Sequence, residues 1–328
     1  MPRILITSPI LQHAPGPYRD LLETAGMEVV YLPQGAKLFE PASLIRLLDG
    51  IDGTLATVEP YSREVIAATR LRAIARHGVG YDAIDVAAAT DHGVAVVIAA
   101  GTNHDCVAEQ TVALLLAVFR GVPARDRSMR ARKWERSRLL PRLAGRTLGI
   151  VGLGRIGRAL APRAIGLGLN VIAHDPVAEA ASTAKLGVRL VPLDTLLATA
   201  DIVSLHCPVT PQTALMINAQ SLERMKAGSV LLNTSRGGLV DETALVAALK
   251  SGHLFGAGLD VFQQEPPQPD NPMLDLENVV LCPHMAGLDD ESVVAMATRA
   301  AEGLVALYQN RWPEGCVVNN EIRPRWKW

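Results

Sequence analysis

The sequence predicts an α/β protein with two successive doubly wound parallel sheets. Short apolar runs, each long enough for one strand, alternate with amphipathic helical segments, and this alternation occurs twice along the chain. The predicted strands are apolar almost throughout, as strands of parallel sheets covered on both faces are. At 328 residues the chain is long enough for two domains of ordinary size.

The first alternation extends to residue 98. Its predicted strands are Ile4–Thr7, Met27–Tyr31, Gly53–Thr57, Arg72–Arg76 and Val94–Ile98. Its predicted helices are Tyr18–Ala25, Ser43–Leu48, for which Ser43 is the expected N-cap, and Arg63–Ala68. A glycine-rich loop, residues 77–82, follows the fourth strand. Binding crevices of open α/β sheets form at such carboxyl ends of strands.

A long helix and a basic stretch separate the two alternations. Asn103–Phe119 is apolar over much of its surface, so we expect it to be buried or to lie at an interface. Residues 120–146 contain ten Lys or Arg. This basic stretch is interpreted either as a solvated connector or as an arm that brings positive charge to an anionic substrate.

The second alternation begins after residue 146. Its predicted strands are Leu148–Val151, Asn170–Ala173, Ile202–His206, Val230–Asn233, Gly256–Leu259 and Val279–Leu281. Asp241–Lys250 is predicted as a helix with Asp241 as its cap, and Glu291–Tyr308 as a final amphipathic helix. Pro162 is expected to kink the helix after the first of these strands. No ordered structure is predicted for the C-terminal tail.

The turn after Leu148–Val151 carries the spacing G-x-G-x-x-G, with Gly152, Gly154 and Gly157. The first glycine allows the tight turn, the second a close approach to a pyrophosphate, and the third close packing of the following helix on the strand. The free N–H groups at the start of that helix favour an anion. The sequence therefore predicts a dinucleotide site here.

Asp175 ends the next predicted strand, about 20 residues beyond the glycines, where a carboxylate that binds a ribose is expected. Its charge repels a 2′-phosphate, and no Arg directly follows it. NAD is therefore favoured over NADP as the cofactor.

Composition excludes several other classes of function. The net charge of −1 provides no field that would attract nucleic acid or a membrane surface. The four cysteines are scattered without a C-x-x-C pair, which argues against a zinc site, so no metal is expected. The N-terminal apolar run is too short for a signal peptide, and no apolar stretch reaches the ~20 residues of a membrane span. A cytoplasmic protein that binds neither nucleic acid nor membrane is expected.

Three polar side chains follow neighbouring strands of the second alternation: Arg236, Glu265 and His284. Hydride transfer to a ketone needs a proton donor, for which histidine is the usual choice. A carboxylate bonded to the other ring nitrogen fixes the tautomer. A guanidinium can hold the carboxylate of a 2-keto acid through two parallel hydrogen bonds.

These residues, together with the motifs given below, make the chain resemble the D-isomer-specific 2-hydroxyacid dehydrogenases, in particular their short phosphoglycerate-type members. The resemblance covers nearly the whole chain. The motifs that carry it are His77-Gly-Val-Gly-Tyr-Asp82, Gly101-Thr-Asn103, Val107-Ala-Glu109, the run from Gly149 to Gly157, His206-Cys-Pro-Val-Thr210, Asn233-Thr-Ser-Arg-Gly237, Asp260-Val-Phe-x-x-Glu-Pro266 and Pro283-His284.

The resemblance implies a Rossmann NAD-binding domain, residues 99–290, inserted into a flavodoxin-like substrate domain, residues 1–98 and 291–328. It also implies a homodimer formed through the nucleotide domains. Arg236 would bind and polarise the substrate, His284 would be the general acid/base, and Glu265 would be its partner. Further substrate contacts would come from the backbone N–H groups of Val79 and Gly80 and from Asn103. The residues expected around NAD are Gly152, Gly154, Arg155, Ile156, Gly157, Asp175, Cys207, Thr234 and Asp260, the last near the carboxamide.

The substrate implied is a small D-2-hydroxy acid or 2-keto acid, with phosphoglycerate first and hydroxypyruvate or glyoxylate next. Lys133-Trp-Glu-Arg136 resembles phosphoglycerate-type members, in which an Arg from the neighbouring subunit reaches the site. Glu59, in contrast, stands near the position where those members place a phosphate-binding Arg, and is expected to repel phosphate. Two alternatives with the same fold remain, a phosphite dehydrogenase and an NAD-sensing binding protein without enzymatic activity.

Overall fold

The computed structural model describes residues 1–136 and 139–328. The strands are β1 Arg3–Ile6, β2 Glu28–Tyr31, β3 Gly53–Ala56, β4 Ala73–Arg76, β5 Ala95–Val97, β6 Thr147–Val151, β7 Asn170–His174, β8 Arg189–Leu190, β9 Ile202–Leu205, β10 Ser229–Asn233, β11 Leu254–Leu259 and β12 Val279–Leu281. The α-helices are α1 Pro17–Thr24, α2 Pro41–Leu47, α3 Arg63–Ala67, α4 Val86–Asp91, α5 His104–Arg120, α6 Val122–Arg130, α7 Arg155–Gly166, α8 Ala180–Ala184, α9 Leu193–Thr199, α10 Ala219–Arg224, α11 Glu242–Lys250 and α12 Asp290–Tyr308.

The chain divides into two compact units. The first unit contains residues 1–103 and 288–328, and the second unit contains residues 104–287. The sequence places these divisions at 98/99 and 290/291. In the structure the chain changes unit just before the first turns of α5 and α12, because each helix packs as a whole within one unit.

The first unit is a five-stranded parallel sheet with the order β2-β1-β3-β4-β5, the flavodoxin-like arrangement. Helices α1 and α12 cover one face through side chains such as Leu22 and Leu304. Helices α2, α3 and α4 cover the other through side chains such as Leu44 and Ile66. Both faces of the sheet are therefore buried, as the apolar strands require.

The C-terminal tail, whose order the sequence left open, is ordered. Val317 pairs with Val97 of β5, and the buried Asn319 side chain accepts a hydrogen bond from the Val96 N–H at 3.0 Å. Its amide also donates to the carbonyl of Val94 at 2.9 Å. Trp326 packs against the core of the first unit. The tail thus completes the edge of the sheet at β5.

The second unit is a seven-stranded parallel sheet with the order β12-β11-β10-β9-β6-β7-β8. Counted from its own first strand the order is 3-2-1-4-5-6-7, which contains the Rossmann arrangement. The order reverses between β6 and β9, so the dinucleotide crevice is expected at their carboxyl ends. Helices α5 and α7 pack on one face, and α9, α10 and α11 on the other. The apolar surface of α5 is largely buried within this unit.

One local expectation fails. The second helix begins at Pro41 with Glu40 as its N-cap, not at Ser43, because proline fits the first helical position. Pro162 lies inside helix α7, and the kink expected there stays a prediction. Among the described residues no single helix has the length and apolar composition to span a membrane; α5 and α6 pass that test only as a pair bent by 62°.

Candidate active site

The turn between β6 and α7 leaves space where a pyrophosphate is expected. Gly152 has a φ of +93°, and a Cβ there would lie 2.6 Å from the carbonyl oxygen of His206. A Cβ on Gly157 would overlap the carbonyl of Gly152. A Cβ on Gly154, in contrast, would meet no atom within 4 Å. The outer two glycines therefore serve the chain's own packing, and the middle one keeps the surface open to a ligand.

Helix α7 presents its N-terminus at this opening. Gly154 is its N-cap and has no side chain to satisfy the first N–H groups of the helix. Arg155 is exposed and Ile156 is half-buried, so the first turn is accessible. Free N–H groups and the positive end of the helix dipole suit a pyrophosphate. These residues fit a dinucleotide.

Asp175 lies beside this turn, directly after β7. Its Oδ2 accepts a hydrogen bond from the Leu153 N–H at 2.7 Å, and its Oδ1 accepts one from the Val177 N–H at 2.9 Å. The carboxylate is therefore fixed next to the glycine turn, at the edge where an adenosine ribose is expected. Val177 is exposed, and residues 176–184 contain no Lys or Arg.

The other predicted cofactor residues lie at the ends of the neighbouring strands. Cys207, after β9, is half-buried, and burial raises the pKa of its thiol to about 11, so the thiol stays protonated. Thr234, after β10, is buried, and its hydroxyl lies 2.9 Å from that of Thr111 on α5. His206, to which the sequence gave no role of its own, bonds through Nε2 to Ser204 Oγ at 2.8 Å. Burial lowers the pKa of His206 to about 4.

His284 and Glu265 form a hydrogen-bonded pair. His284 Nδ1 lies 2.6 Å from Glu265 Oε2. The other carboxylate oxygen, Oε1, accepts a hydrogen bond from the Phe262 N–H at 3.0 Å. With Nδ1 bonded to the carboxylate, Nε2 of the imidazole is the atom that can exchange a proton with a substrate.

The surroundings of Glu265 keep it ionised. Burial alone would raise its pKa, but the bonds from His284 and the Phe262 N–H, with the charges of His284 and Arg236, bring its pKa below the ordinary value. A carboxylate that stays charged stabilises a protonated imidazole beside it. The pair is therefore suited to take up and release one proton.

Arg236 follows β10 and is half-buried. Its Nη1 donates to the carbonyl of Ser235 at 2.7 Å, and its own carbonyl accepts a hydrogen bond from Asn233 Nδ2 at 2.8 Å. A Cβ on Gly237, the next residue, would overlap the carbonyl of Phe262. The turn that carries Arg236 thus touches the backbone of the loop that carries Glu265. The structure brings Arg236, Glu265 and His284 together beyond three adjacent strands.

Asp260 is completely buried at the end of β11. Its carboxylate accepts hydrogen bonds from the N–H groups of Met285 at 2.9 Å and Ala286 at 2.7 Å. Its carbonyl accepts one from the His284 N–H at 2.8 Å. Burial raises the pKa of Asp260, and the two backbone bonds oppose that effect. Both carboxylate oxygens hold the turn that carries His284, a role that the sequence did not reveal.

Val79, Gly80 and Asn103, the predicted substrate contacts, belong to the first unit, and the acid/base pair belongs to the second. All three residues are half-buried. The Gly80 carbonyl accepts a hydrogen bond from Arg76 Nε at 2.7 Å, which fixes the loop after β4. His77, just before that loop, bonds to Ser8 Oγ at 3.1 Å and to the Val293 carbonyl at 3.0 Å. Burial lowers the pKa of His77.

Glu59 is buried inside the first unit, so its carboxylate cannot contact a substrate phosphate directly. It accepts hydrogen bonds from Thr7 Oγ1 at 2.6 Å, the Tyr61 hydroxyl at 2.9 Å and the Thr57 N–H at 3.0 Å. These neutral donors satisfy the carboxylate oxygens, while the expected repulsion of a phosphate by the charge stays a prediction.

The basic stretch is exposed in the part of the chain that the structure describes. Helix α6 has no buried residue, and Trp134 is 74% exposed. Ser137 and Arg138, which belong to the same stretch, lie outside the described residues. Within the described part of the stretch, Arg130 Nε pairs with Asp126 Oδ2 at 2.7 Å and Arg146 Nη1 with Asp201 Oδ1 at 3.5 Å.

Comparison with known proteins gives the family. A sequence model described as "D-isomer specific 2-hydroxyacid dehydrogenase, NAD binding domain" matches residues 112–286. The chain belongs to this family. The match covers more than half of the chain and includes the glycine turn, Asp175 and the residues Arg236, Glu265 and His284.

Relatives within the family carry different names. A D-3-phosphoglycerate dehydrogenase from Archaeoglobus fulgidus is 45% identical over 261 residues, which are 79% of this chain and 49% of that protein. A glyoxylate reductase from Korarchaeum cryptofilum is 45% identical over 270 residues, 80% of this chain and 81% of that protein. The crystal structure of the TT0316 protein from Thermus thermophilus has a TM-score of 0.86 at 38% identity, covering 96% of this chain and 99% of that chain. This chain spans about half the length of the phosphoglycerate dehydrogenase.

Proposed function

We propose that this 2-hydroxyacid dehydrogenase family member transfers a hydride between NAD(H) and a small D-2-hydroxy acid or 2-keto acid. The observation that carries the proposal is the hydrogen bond of 2.6 Å between His284 and Glu265, beside Arg236, at the carboxyl edge of the NAD-binding sheet. Oxidation of a hydroxy acid releases a proton from the hydroxyl and a hydride from the carbon. NAD⁺, when bound, supplies the hydride acceptor.

The residues of this chain handle the proton and the charge. His284 Nε2 accepts the hydroxyl proton, and the Glu265 carboxylate stabilises the imidazolium that forms. Arg236 binds the substrate carboxylate and polarises the bond between the reacting carbon and oxygen. The N–H groups of Val79 and Gly80, with Asn103, are proposed to hold the same carboxylate. In the reverse direction His284 returns the proton to the oxygen of the ketone.

Phosphoglycerate is the first candidate substrate. It is favoured by relatives named D-3-phosphoglycerate dehydrogenase at 44–45% identity and by the exposed cations of the basic stretch. Glu59 is turned inward and does not contact a phosphate directly, which leaves room for a phosphorylated substrate. Glyoxylate and hydroxypyruvate come next, because the glyoxylate reductase is equally similar in sequence.

The test is NADH oxidation, followed at 340 nm, with 3-phosphohydroxypyruvate, hydroxypyruvate, glyoxylate and pyruvate compared at equal concentrations. We expect the phosphorylated ketone to give the highest kcat/KM. A preference for an unphosphorylated ketone would retain the reaction and reject phosphoglycerate. Turnover of none of the four, with phosphite reducing NAD⁺, would identify a phosphite dehydrogenase. NADH binding without any turnover would identify a sensor.

The expected homodimer and the cytoplasmic location stay predictions. Sedimentation equilibrium of the purified chain tests the predicted homodimer. A mass of one chain, 35.1 kDa, at micromolar concentration would contradict it.

A further inference from the structure

Glu242 lies outside the predicted site, yet its carboxylate points to the loop that carries Glu265. It is the first residue of α11, whose N-cap is Asp241, with Oδ1 accepting a hydrogen bond from the Ala244 N–H at 3.1 Å. Glu242 is therefore not needed as the cap. Its Oε1 accepts a hydrogen bond from the Gln263 N–H at 2.6 Å instead, and its Oε2 accepts one from Asn271 Nδ2 at 3.1 Å.

These two bonds connect both ends of an exposed loop to one carboxylate. Phe262 and Met273 are buried at 7% and 0% exposure, and most of the side chains between them are exposed. Asn271 in turn binds the end of the loop, because its Oδ1 accepts a hydrogen bond from the Met273 N–H at 2.9 Å. The conformation of residues 263–272 thus depends on Glu242 at its beginning and at its end.

Glu265 stands two residues after the first of these anchors. Its carboxylate can bind both His284 Nδ1 at 2.6 Å and the Phe262 N–H at 3.0 Å only if the backbone of residues 262–265 keeps its present conformation. Gly237 packs against the same backbone from the side of Arg236. Short hydrogen bonds to a charged group are sensitive to small displacements, and a misplacement of about 1 Å in an active site costs up to about 100-fold in rate.

We propose that Glu242 is a positioning residue for the acid/base pair. It fixes the Glu265 loop through the Gln263 N–H and Asn271, so that Glu265 holds His284 in the tautomer with hydrogen on Nδ1. This proposal rests on the proposed function for its catalytic meaning, but its structural content is measurable without turnover.

The experiment compares Glu242→Ala, Glu242→Gln and a matched control, Asp194→Ala. Asp194 is also an acid in a first helical turn of the second unit, where it binds Arg224 at 2.6 Å. Its loss removes a similar charge from a similar place in a helix, but it touches no part of the Glu265 loop. The Glu242→Gln variant keeps an acceptor for the Gln263 N–H and presents a donor to the Asn271 amide.

The first readout is the ¹⁵N spectrum of ring-labelled histidine at a pH where the imidazole is neutral, with His284 assigned by its loss in His284→Asn. We expect wild type, Asp194→Ala and Glu242→Gln to show the Nδ1–H tautomer. In Glu242→Ala we expect a shift towards the Nε2–H form that free imidazole side chains favour. The second readout is kcat with the best keto acid, expected to fall about tenfold in Glu242→Ala and less than about threefold in Glu242→Gln.

A wild-type tautomer signal together with wild-type kcat in Glu242→Ala would overturn the proposal. So would a loss of thermal stability without a change in the tautomer, because it would give Glu242 a purely structural role. If Glu242→Ala does not fold, Glu242→Asp withdraws the carboxylate from Gln263 and keeps its charge. The same tautomer shift is then expected, and its absence overturns the proposal. A tautomer shift in a protein that reduces no keto acid would reject the proposed function and retain the positioning role.

Discussion

His284 has a backbone φ of +54°, a conformation that residues with side chains rarely adopt. Such a conformation costs of order 1 kcal/mol or more and persists only where its surroundings impose it. Asp260 does so through three hydrogen bonds to consecutive N–H groups, from His284 to Ala286. The imidazole is therefore fixed from its backbone by Asp260 and from its ring by Glu265.

Replacing His284 by Ala removes the proposed general acid and leaves the glycine turn and Asp175 untouched. We expect kcat for keto acid reduction to fall by about 10²–10⁴-fold, the usual contribution of a general acid. The dissociation constant of NADH, measured by fluorescence titration, should change less than about twofold, below the scale of one lost hydrogen bond. Turnover close to that of wild type would exclude His284 as the general acid.

Asp175→Ala tests the choice of cofactor. The substitution removes the charge that is expected to repel a 2′-phosphate and the acceptor proposed for the ribose hydroxyls. We expect kcat/KM for NADH to fall about tenfold and the ratio of NADH to NADPH use to fall with it, since one charged hydrogen bond contributes about 1.5–3 kcal/mol. An unchanged ratio would show that Asp175 does not face the ribose.

His206 is expected to make the free energy of unfolding depend on pH. Burial lowers its pKa from 6.5 to about 4. Between these two pH values the imidazole is protonated in the unfolded chain and neutral in the folded chain. Stability is therefore lost as the pH falls through this window, by about 2 kcal/mol between pH 7 and pH 5.

Urea unfolding of wild type and His206→Gln at both pH values measures this effect. We expect the difference in unfolding free energy between pH 7 and pH 5 to be smaller in the variant by about that amount. Other histidines, such as His77, contribute equally to both proteins and cancel. Equal pH dependence in the two proteins would contradict the prediction.

At the scale of elements, contact between the two turns after β10 and β11 decides the geometry of the site. Gly237→Ala would place a methyl group on the carbonyl of Phe262, which is backbone and cannot turn aside. We expect a loss of about 1–3 kcal/mol in unfolding free energy, typical of overpacking, and a fall in kcat of at least about tenfold. The neighbouring Gly238→Ala is the control, because its Cβ would lie 3.4 Å from Val209 Cγ2. Equal effects from Gly237→Ala and Gly238→Ala would show that the close contact between Gly237 and Phe262 is not needed for stability or activity.

The strands could be predicted from the sequence, mostly to within one or two residues, because a strand buried on both faces is a continuous apolar run. The exception is β8, which has two residues, one of them the exposed Arg189, and leaves no such run. The glycine turn and Asp175 could also be predicted from the sequence, because their spacing follows from the geometry of one strand, one turn and one helix.

Contacts between distant side chains could not be predicted. Glu59 resembles an exposed charge after a strand, and nothing in the sequence shows that Thr7, about 50 residues earlier, binds it. The family resemblance places Asp260 near the NAD carboxamide, and only the fold shows that its carboxylate also binds the N–H groups of the turn that carries His284. Glu242 looks like an ordinary acid in a first helical turn, and only the fold shows that it faces the Glu265 loop.

At the scale of the whole molecule, the first unit is assembled from two separate parts of the chain. Helix α12 covers one face of its sheet, and Asn319 binds Val94 and Val96 at the edge. Asn319→Ala leaves a buried N–H and a buried carbonyl without these partners, which costs about 1–3 kcal/mol each.

Tryptophan fluorescence measures the consequence of Asn319→Ala. Three of the four tryptophans, Trp312, Trp326 and Trp328, are partly buried in the first unit. The fourth, Trp134, belongs to the second unit but is already 74% exposed, so the change in emission during urea unfolding mainly follows the first unit. We expect a lower transition midpoint in the variant, with NADH binding in native buffer unchanged. A midpoint equal to that of wild type would show that the tail does not stabilise the sheet.

The insertion of one unit within the other also determines the order in which the protein can be completed on the ribosome. The second unit is contiguous, so it can fold as soon as residue 287 has left the exit tunnel. Strands β1 to β5 and helix α1 are synthesised before the second unit, but the face of their sheet that α1 shares with α12 is only partly covered until α12 is made. While the second unit is synthesised, the part of this apolar face that belongs to α12 is exposed to other nascent chains and to chaperones. The native fold of the first unit is therefore finished after that of the second unit.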